Sequence, residues 1–230
     1  MKTLGLIGGT SWVSTIDYYK IINQQINQRL GGLNAARLIL YSMNYEEFQP
    51  PSDPKDWGPT SQGLSGIAKK LEAAGAECII LCANTPHMAA DVIQEQIKIP
   101  LIHIAEATAK EIAKQNISRV GLLGTRFTME QSFFKDKLSK YNIETLIPGE
   151  EERQFIHNTI FNELGRGEFT KEIKKEYLKI MERLIQKGVE GIILGCTEIP
   201  MLIQPGDINI KTFNTTLIHA TAAVNFALAG

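Results

Sequence analysis

The chain lacks an excess of either charge: 24 Lys+Arg stand against 25 Asp+Glu, a formal net charge of −1. A nucleic-acid surface ordinarily shows a basic excess, so that class of partner is not expected. Long hydrophobic runs are also missing. Nothing approaches the ~20 apolar residues of a membrane helix, so no membrane association is expected. The opening Met1-Lys2-Thr3-Leu4-Gly5-Leu6-Ile7-Gly8-Gly9 holds one short apolar run and then a glycine turn. It reads as a first strand rather than a signal peptide. Cysteine is scarce, and three is an odd number. A disulfide framework is therefore not expected, and the thiols are expected reduced in the cytoplasm. His87, His103, His157 and His219 share no ligand spacing, and Glu150-Glu151-Glu152 reads as a solvated loop or helix start, so no metal is expected. Gly5-Leu6-Ile7-Gly8-Gly9 lacks both G-x-G-x-x-G and the Lys-Ser/Thr of a phosphate loop, so no nucleotide cofactor is expected.

What is present is a globular mixture: 230 residues, 43% hydrophobic and 21% charged, enough for one large or two small domains. The halves echo each other. Leu4-Gly5-Leu6-Ile7-Gly8-Gly9-Thr10 resembles Val120-Gly121-Leu122-Leu123-Gly124-Thr125, and Gly75-Ala76-Glu77-Cys78-Ile79-Ile80-Leu81-Cys82 resembles 188–196. A weaker pair is Ile99-Pro100-Leu101-Ile102 with Ile210-Lys211-Thr212-Phe213. The offsets are 116 from residue 4 to 120, 113 from 75 to 188 and 111 from 99 to 210. Three pairs in one order at nearly one offset indicate internal duplication.

Each half alternates short apolar runs (38–40, 78–81, 101–104) with stretches of helical spacing. Residues 16–30 set Ile16, Tyr19, Ile22, Ile26 and Leu30 near one helix face. Residues 64–74 stop at Gly75; residues 105–114 and 171–187 also read as amphipathic helices, the last ending at Gly188. The proline-rich stretch 49–59 reads as a loop. Alternating strands and helices predict α/β architecture: two similar three-layer α/β/α lobes with parallel sheets, related by a pseudo-twofold, with an active site in the cleft between them. The expected lobes are 1–114, completed by a C-terminal helix at 215–230, and 115–214.

Two thiols mark matching strand ends. Cys82 follows Ile79-Ile80-Leu81 and precedes Ala83-Asn84-Thr85-Pro86; Cys196 follows Ile192-Ile193-Leu194-Gly195 and precedes Thr197-Glu198-Ile199-Pro200. A thiol just past a strand and before a helix start meets backbone N–H groups, which can lower its pKa from ~8.5 toward neutrality. Opposed thiols suit inversion at an acidic carbon: one removes the α-proton and the other returns a proton to the opposite face. The carbanion or enediolate then needs donors such as the amides of Ala83, Asn84 and Thr197 and the hydroxyls of Thr85, Thr125 and Thr197. An isolated strand-end cysteine is ordinarily packing. Cys78, inside its strand and equivalent to Gly191, is read that way. His87 is expected in the first turn after the strand, where the dipole disfavours its cationic form.

At these residues the sequence resembles the aspartate/glutamate racemase family, in its broad-specificity branch. The resemblance rests on Cys82-Ala83-Asn84-Thr85 and Gly195-Cys196-Thr197-Glu198. It is carried further by Gly8-Gly9-Thr10-Ser11-Trp12, by 123–131, by Ile160-Phe161-Asn162-Glu163-Leu164 and by Phe213-Asn214-Thr215-Thr216. It spans essentially the whole chain and implies a cofactor-independent two-base racemase, commonly a homodimer, acting on an acidic amino acid, aspartate or glutamate or both. It further implies that Cys82 and Cys196 are the acid/base pair and that Asn84, Thr85, Thr125 and Thr197 hold the α-carboxylate and amino group. Thr10 would border the substrate, Ser52 would lie in the loop reaching the distal carboxylate, and Glu198 would orient or polarise its neighbour. Thr10, Val13, Ala83 and Asn214 depart from the common pattern, which bears on side-chain selectivity. Lys55, Arg126 and Arg166 are candidates for the distal carboxylate. The alternatives are maleate isomerisation, diacid decarboxylation, hydantoin racemisation and a non-catalytic amino-acid-binding relative. A thiol redox pair is disfavoured, because a substrate carbon between the sulfurs would hold them beyond the ~2.05 Å bond.

Overall fold

A computed structural model of the chain describes residues 1–47, 51 and 53–229. The chain divides into two compact units, Met1–Ile104 with His219–Gly230, and Ala105–Ile218.

The first unit is built on a parallel sheet of order β2-β1-β3, with β1 Leu4–Gly8, β2 Leu38–Ser42 and β3 Cys78–Leu81. The strands β1 and β3 read as unbroken apolar runs because both faces are covered. On one face Leu4, Leu6, Cys78, Ile80 and Cys82 pack with Tyr18, Ile22 and Ile26 of α1 (Trp12–Leu30). On the other face Ile7, Ile79 and Leu81 pack with Leu64, Ile67, Ala68 and Leu71 of α2 (Gly58–Ala73) and Ile93 of α3 (Ala90–Gln94). The period-two alternation of strand side chains places Cys78, Ile80 and Cys82 on one face. The next helix, α4 (Ile104–Ala113), leads out of the unit.

The second unit carries a four-stranded parallel sheet, β5-β4-β6-β7, from β4 Arg119–Gly124, β5 Glu144–Leu146, β6 Gly191–Gly195 and β7 Lys211–Asn214. Its helices are α5 (Arg126–Glu130), α6 (Ser132–Ser139), α7 (Glu150–Asn162), α8 (Lys171–Gln186), α9 (Ile199–Leu202) and the start of α10 (Thr215–Leu228). Helix α8 shows why such a segment folds. Thr170 caps it, accepting from the Ile173 amide at 3.2 Å. Tyr177, Ile180, Met181 and Leu184 recur at helical spacing and are buried. Each contributes about 1.5–3 kcal/mol by leaving water. The chain then turns at Gly188, φ 84°. The acidic run 150–152 forms the first turn of α7, where Glu152 accepts from the Gly149 amide and pairs with Arg183.

The two sheets repeat one plan. Leu4 pairs with Cys78 and Val120 with Gly191, so the offsets of 116 and 113 carry one register onto the other. The bridge Ile79–Leu101 maps onto Ile192–Thr212 through the offsets of 113 and 111.

Three expectations are corrected. Residues 101–104 do not form a strand: only the bridge at Leu101 is made, and α4 starts at Ile104. The bridge is made by the Pro100 carbonyl and the Ile102 amide with Ile79, and the Leu101 amide, on the side away from β3, is held by the Gln94 side chain at 2.8 Å. In α1 the buried residues are Ser14, Thr15, Tyr18, Ile22 and Ile26, whereas Ile16, Tyr19 and Leu30 are exposed. The proline-rich loop ends early, because Pro54–Asp56 forms a 3-10 turn and Pro59 lies in the first turn of α2, where a missing N–H costs nothing.

Candidate active site

In the first unit the candidate residues gather past the carboxyl ends of two paired strands. Strand β1 ends at Gly8 and leads to Thr10; β3 ends at Leu81 and leads to Cys82. The Cys82 amide donates to the Ile7 carbonyl at 2.9 Å, extending the ladder by one bond. Its carbonyl accepts from Ser14 Oγ at 3.1 Å, while Thr15 Oγ1 accepts from the Gly9 amide at 3.0 Å. Two hydroxyls of α1 therefore fix the two strand-end loops. Neither was singled out from the sequence, where Ser14 and Thr15 look like ordinary helix-surface residues. Ala83 and Thr85 are half-buried and Asn84 is buried. A 3-10 turn, Thr85–Ala89, follows. Ser52 lies outside the described residues.

His87 lies in that turn, fully buried, and its Nδ1 donates to the Ala83 carbonyl at 2.9 Å. Burial first, then the neighbouring rings of His103 and His219, holds its pKa well below the usual imidazole value. Tyr18 Oη lies 2.8 Å from His219 Nδ1, and His219 Nε2 lies 2.7 Å from the Ile102 carbonyl. A carbonyl can only accept, so the proton of neutral His219 sits on Nε2 and Tyr18 donates to Nδ1.

In the second unit β4 ends at Gly124, before Thr125, and β6 ends at Gly195, before Cys196. Thr125 caps α5, accepting from the Thr128 amide at 3.3 Å. Cys196 Sγ donates to Glu198 Oε2 at 2.9 Å, and Thr197 Oγ1 donates to the same oxygen at 2.6 Å. All three residues are buried, Glu198 with 6% of its surface exposed. Asn214 Oδ1 accepts from the Leu217 amide at 3.1 Å, a capping bond that accounts for an amide or acid at that position. Arg126 is engaged by Glu130 and Gln154, so its guanidinium is committed within the unit.

The thiols do not behave as their strand-end position alone suggests. Burial pushes the pKa of Cys82 up. Cys196 is also pushed well up, by burial first and then by the Glu198 carboxylate, which outweigh the amides of Glu198 and Thr197 that favour its thiolate. The segments after both cysteines are short, five residues at Thr85–Ala89 and four at Ile199–Leu202, so little helix dipole offsets the desolvation. Cys78 is a core residue, fully buried in β3, its pKa pushed up to about 12 by burial. All three cysteines are free thiols. Among the described residues no group of three or more His, Cys, Asp or Glu side chains could hold a metal ion, and no helix is long and apolar enough to cross a membrane.

Known proteins share this fold. A family model described as Asp/Glu/hydantoin racemase matches residues 7–223. A solved structure from Yersinia pestis, a candidate Asp/Glu racemase, is 45% identical, with 100% of both chains covered and a TM-score of 0.93. An aspartate racemase homologue from Pyrococcus horikoshii OT3 is 36% identical, again over 100% of both chains, with a TM-score of 0.86. The broad specificity amino-acid racemase of Bacillus subtilis (strain 168) is 23% identical over 229 residues, 98% of each chain. With two α/β lobes, the repeated strand-end cysteines and a family match over nearly its full length, the chain belongs to the Asp/Glu/hydantoin racemase family.

Proposed function

We propose that the chain racemises an acidic amino acid, aspartate or glutamate, by proton transfer between Cys82 and Cys196, without a cofactor. The observation that carries this reading is the pair of free cysteines, each one residue past the end of the corresponding parallel strand of a duplicated sheet, β3 and β6. Family membership supports racemisation; the substrate and the two-thiol mechanism are inferred from the residues.

In the proposed reaction one sulfur, as thiolate, takes the α-proton: the Cα–H bond breaks, an S–H bond forms, and the electron pair spreads into the substrate carboxylate as an enediolate. The other thiol then gives its proton to the opposite face of Cα. The hydroxyls of Thr10, Thr85, Thr125 and Thr197 and the backbone amides of Ala83 and Asn84 are the proposed donors to the carboxylate as its charge grows. Burial pushes the pKa of both thiols up; in the proposed reaction the sulfur that acts as base gives its proton to solvent as the substrate binds, and the positive charge of the substrate's α-ammonium favours the resulting thiolate.

The test is α-proton exchange in heavy water with each enantiomer of aspartate and glutamate. The expected result is solvent deuterium at Cα together with interconversion of enantiomers. Cys82→Ser and Cys196→Ser should each lower racemisation by about 100-fold or more, while each retains exchange from the enantiomer whose proton faces the surviving thiol. Absence of exchange with all four substrates in the wild-type protein defeats the reading.

A further inference from the structure

The stretch Phe213-Asn214-Thr215-Thr216 has no part in the reaction as proposed, yet the second sheet sets it beside the reacting sulfur. The strand order β5-β4-β6-β7 gives β6 a neighbour on each side. Gly124 of β4 pairs with Gly195, and Asn214 of β7 pairs with Leu194. Carried one residue past the first pair and two past the second, this register lines up Thr125, Cys196 and Thr216, with the cysteine in the middle. The end of β7 is also tied to β6, because Thr215 Oγ1 donates to the Leu194 carbonyl at 3.0 Å.

Thr216 is the second residue of α10, and the first amides of a helix have no intrahelical acceptor. Asn214 Oδ1 takes the Leu217 amide, and does so as a neutral group. The first turn holds no acidic side chain, so nothing on the helix itself offsets its positive end. Thr216 is buried, with 4% of its surface exposed, and among the described residues its Oγ1 has no hydrogen-bond partner. The Cα–Cβ bond of a helical residue tilts toward the helix N-terminus, so this hydroxyl leans over the same end as the amide. A helical threonine ordinarily bonds a carbonyl of the preceding turn, and a buried hydroxyl left unpaired is costly. An unpaired hydroxyl and an amide at the positive end of one helix make a donor pair for an anion.

We propose that Thr216, through its hydroxyl and its amide, binds the side-chain carboxylate of the acidic amino acid and so selects for it. The strand order says which carboxylate. Thr125, one of the donors proposed for the α-carboxylate, stands on the β4 side of Cys196, and Thr216 stands on the β7 side. Two strand spacings separate β4 from β7, about 10 Å. An extended four-carbon diacid with one hydrogen bond at each end spans about the same distance. Its stereocentre then lies over β6, the strand that carries the sulfur. Arg126 does not serve this end: it follows β4 and is engaged by Glu130 and Gln154.

The role in substrate choice rests on the racemase reading; the anion site itself does not. The experiment therefore has two arms on the full-length protein. The first measures binding of succinate, a diacid without the amino group, by calorimetry. Thr216→Val keeps the shape, removes the hydroxyl and should weaken succinate about tenfold. Thr216→Ser restores the hydroxyl and should bind within about threefold of wild type. The wild-type protein should bind monomethyl succinate, with one carboxylate, about tenfold more weakly than succinate, a comparison that needs no variant. The second arm follows racemisation of aspartate. T216V should raise KM about tenfold and leave kcat within about twofold, because the lost contact is made equally before and at the transition state. Succinate affinity that is equal in wild type and T216V overturns the proposal, the result expected of a hydroxyl that holds only a buried water. So does a wild-type protein that binds no succinate, or binds its monoester as well. T216S as weak as T216V overturns it too, as does a T216V protein that loses kcat at unchanged KM, the mark of a purely structural role. A wild-type protein that shows these binding differences but exchanges no α-proton from aspartate or glutamate defeats the racemase reading and leaves the anion site standing.

Discussion

Three cysteines of nearly equal burial occupy different chemical positions, and their neighbours separate them. Cys78 lies inside β3, with its side chain among Leu4, Leu6 and Ile80. Cys82 occupies the same face two positions later, but its backbone is held from α1. Cys196 has a carboxylate on its sulfur. The strand-end position of the last two was legible from the sequence because apolar runs end abruptly there, before Asn or Thr. Ser14 was not legible, because a hydroxyl 68 residues away in sequence reveals nothing of the carbonyl it bonds until the strands are paired. Ser14→Ala leaves that buried carbonyl one donor short. The expected cost is about 1 kcal/mol, a fall in Tm of about 2–4 °C in a chain of this size, measured by thermal unfolding.

Among the elements, the strands were easier to read than the helix faces. A strand buried on both sides declares itself as an unbroken apolar run. A helix face must be phased, and in α1 the core-facing Ser14 and Thr15 are polar residues whose hydroxyls bond the strand-end loops. Phasing on apolar residues alone therefore rotated the helix toward Ile16 and Tyr19, which are 53% and 52% exposed. The run at 101–104 is cut short for a different reason: Pro100 and Ile102 make the two backbone bonds of one bridge to Ile79, and α4 starts at Ile104 before a second can form. The glycine turn after β1 was legible as a turn, but its necessity is a matter of geometry. Gly9 has φ +91°, and a Cβ there would lie 2.0 Å from the Met43 carbonyl oxygen. Gly9→Ala meets backbone rather than a yielding side chain, so a loss above about 3 kcal/mol is expected. Denaturant unfolding, or failure to accumulate folded protein, reads it directly.

At the scale of the whole molecule, the duplication was the most legible feature, since offsets read from the sequence reappear as strand register. What the sequence concealed is how unevenly the two copies treat ionisable groups. The first unit encloses His87, His103 and His219 beside Tyr18, with ring centroids 4.8 Å apart for His87–His103 and 5.3 Å for His87–His219. They are far apart in sequence and share no spacing, so only the fold assembles them. Burial lowers the pKa of His219 to about 4 and depresses that of His87 as well, by burial first. The consequence for stability has a definite sign. Above the ordinary histidine pKa of about 6.5 both folded and unfolded chains carry these rings neutral, and they make no pH-dependent difference. As pH falls below about 6.5 the unfolded chain takes up protons that the folded chain refuses, so stability is lost progressively until the folded groups protonate. For His219 the window runs from about 6.5 down to about 4 and the loss reaches about 3 kcal/mol. That is a large part of the 5–15 kcal/mol typical of a folded protein, and His87 adds to it in the same direction. Denaturant unfolding between pH 8 and 4 should therefore show stability level at first and then falling below about pH 6.5. His219→Asn should flatten part of that fall even if it lowers stability at pH 8. A variant whose stability falls as steeply as wild type over this window would remove His219 from the cause.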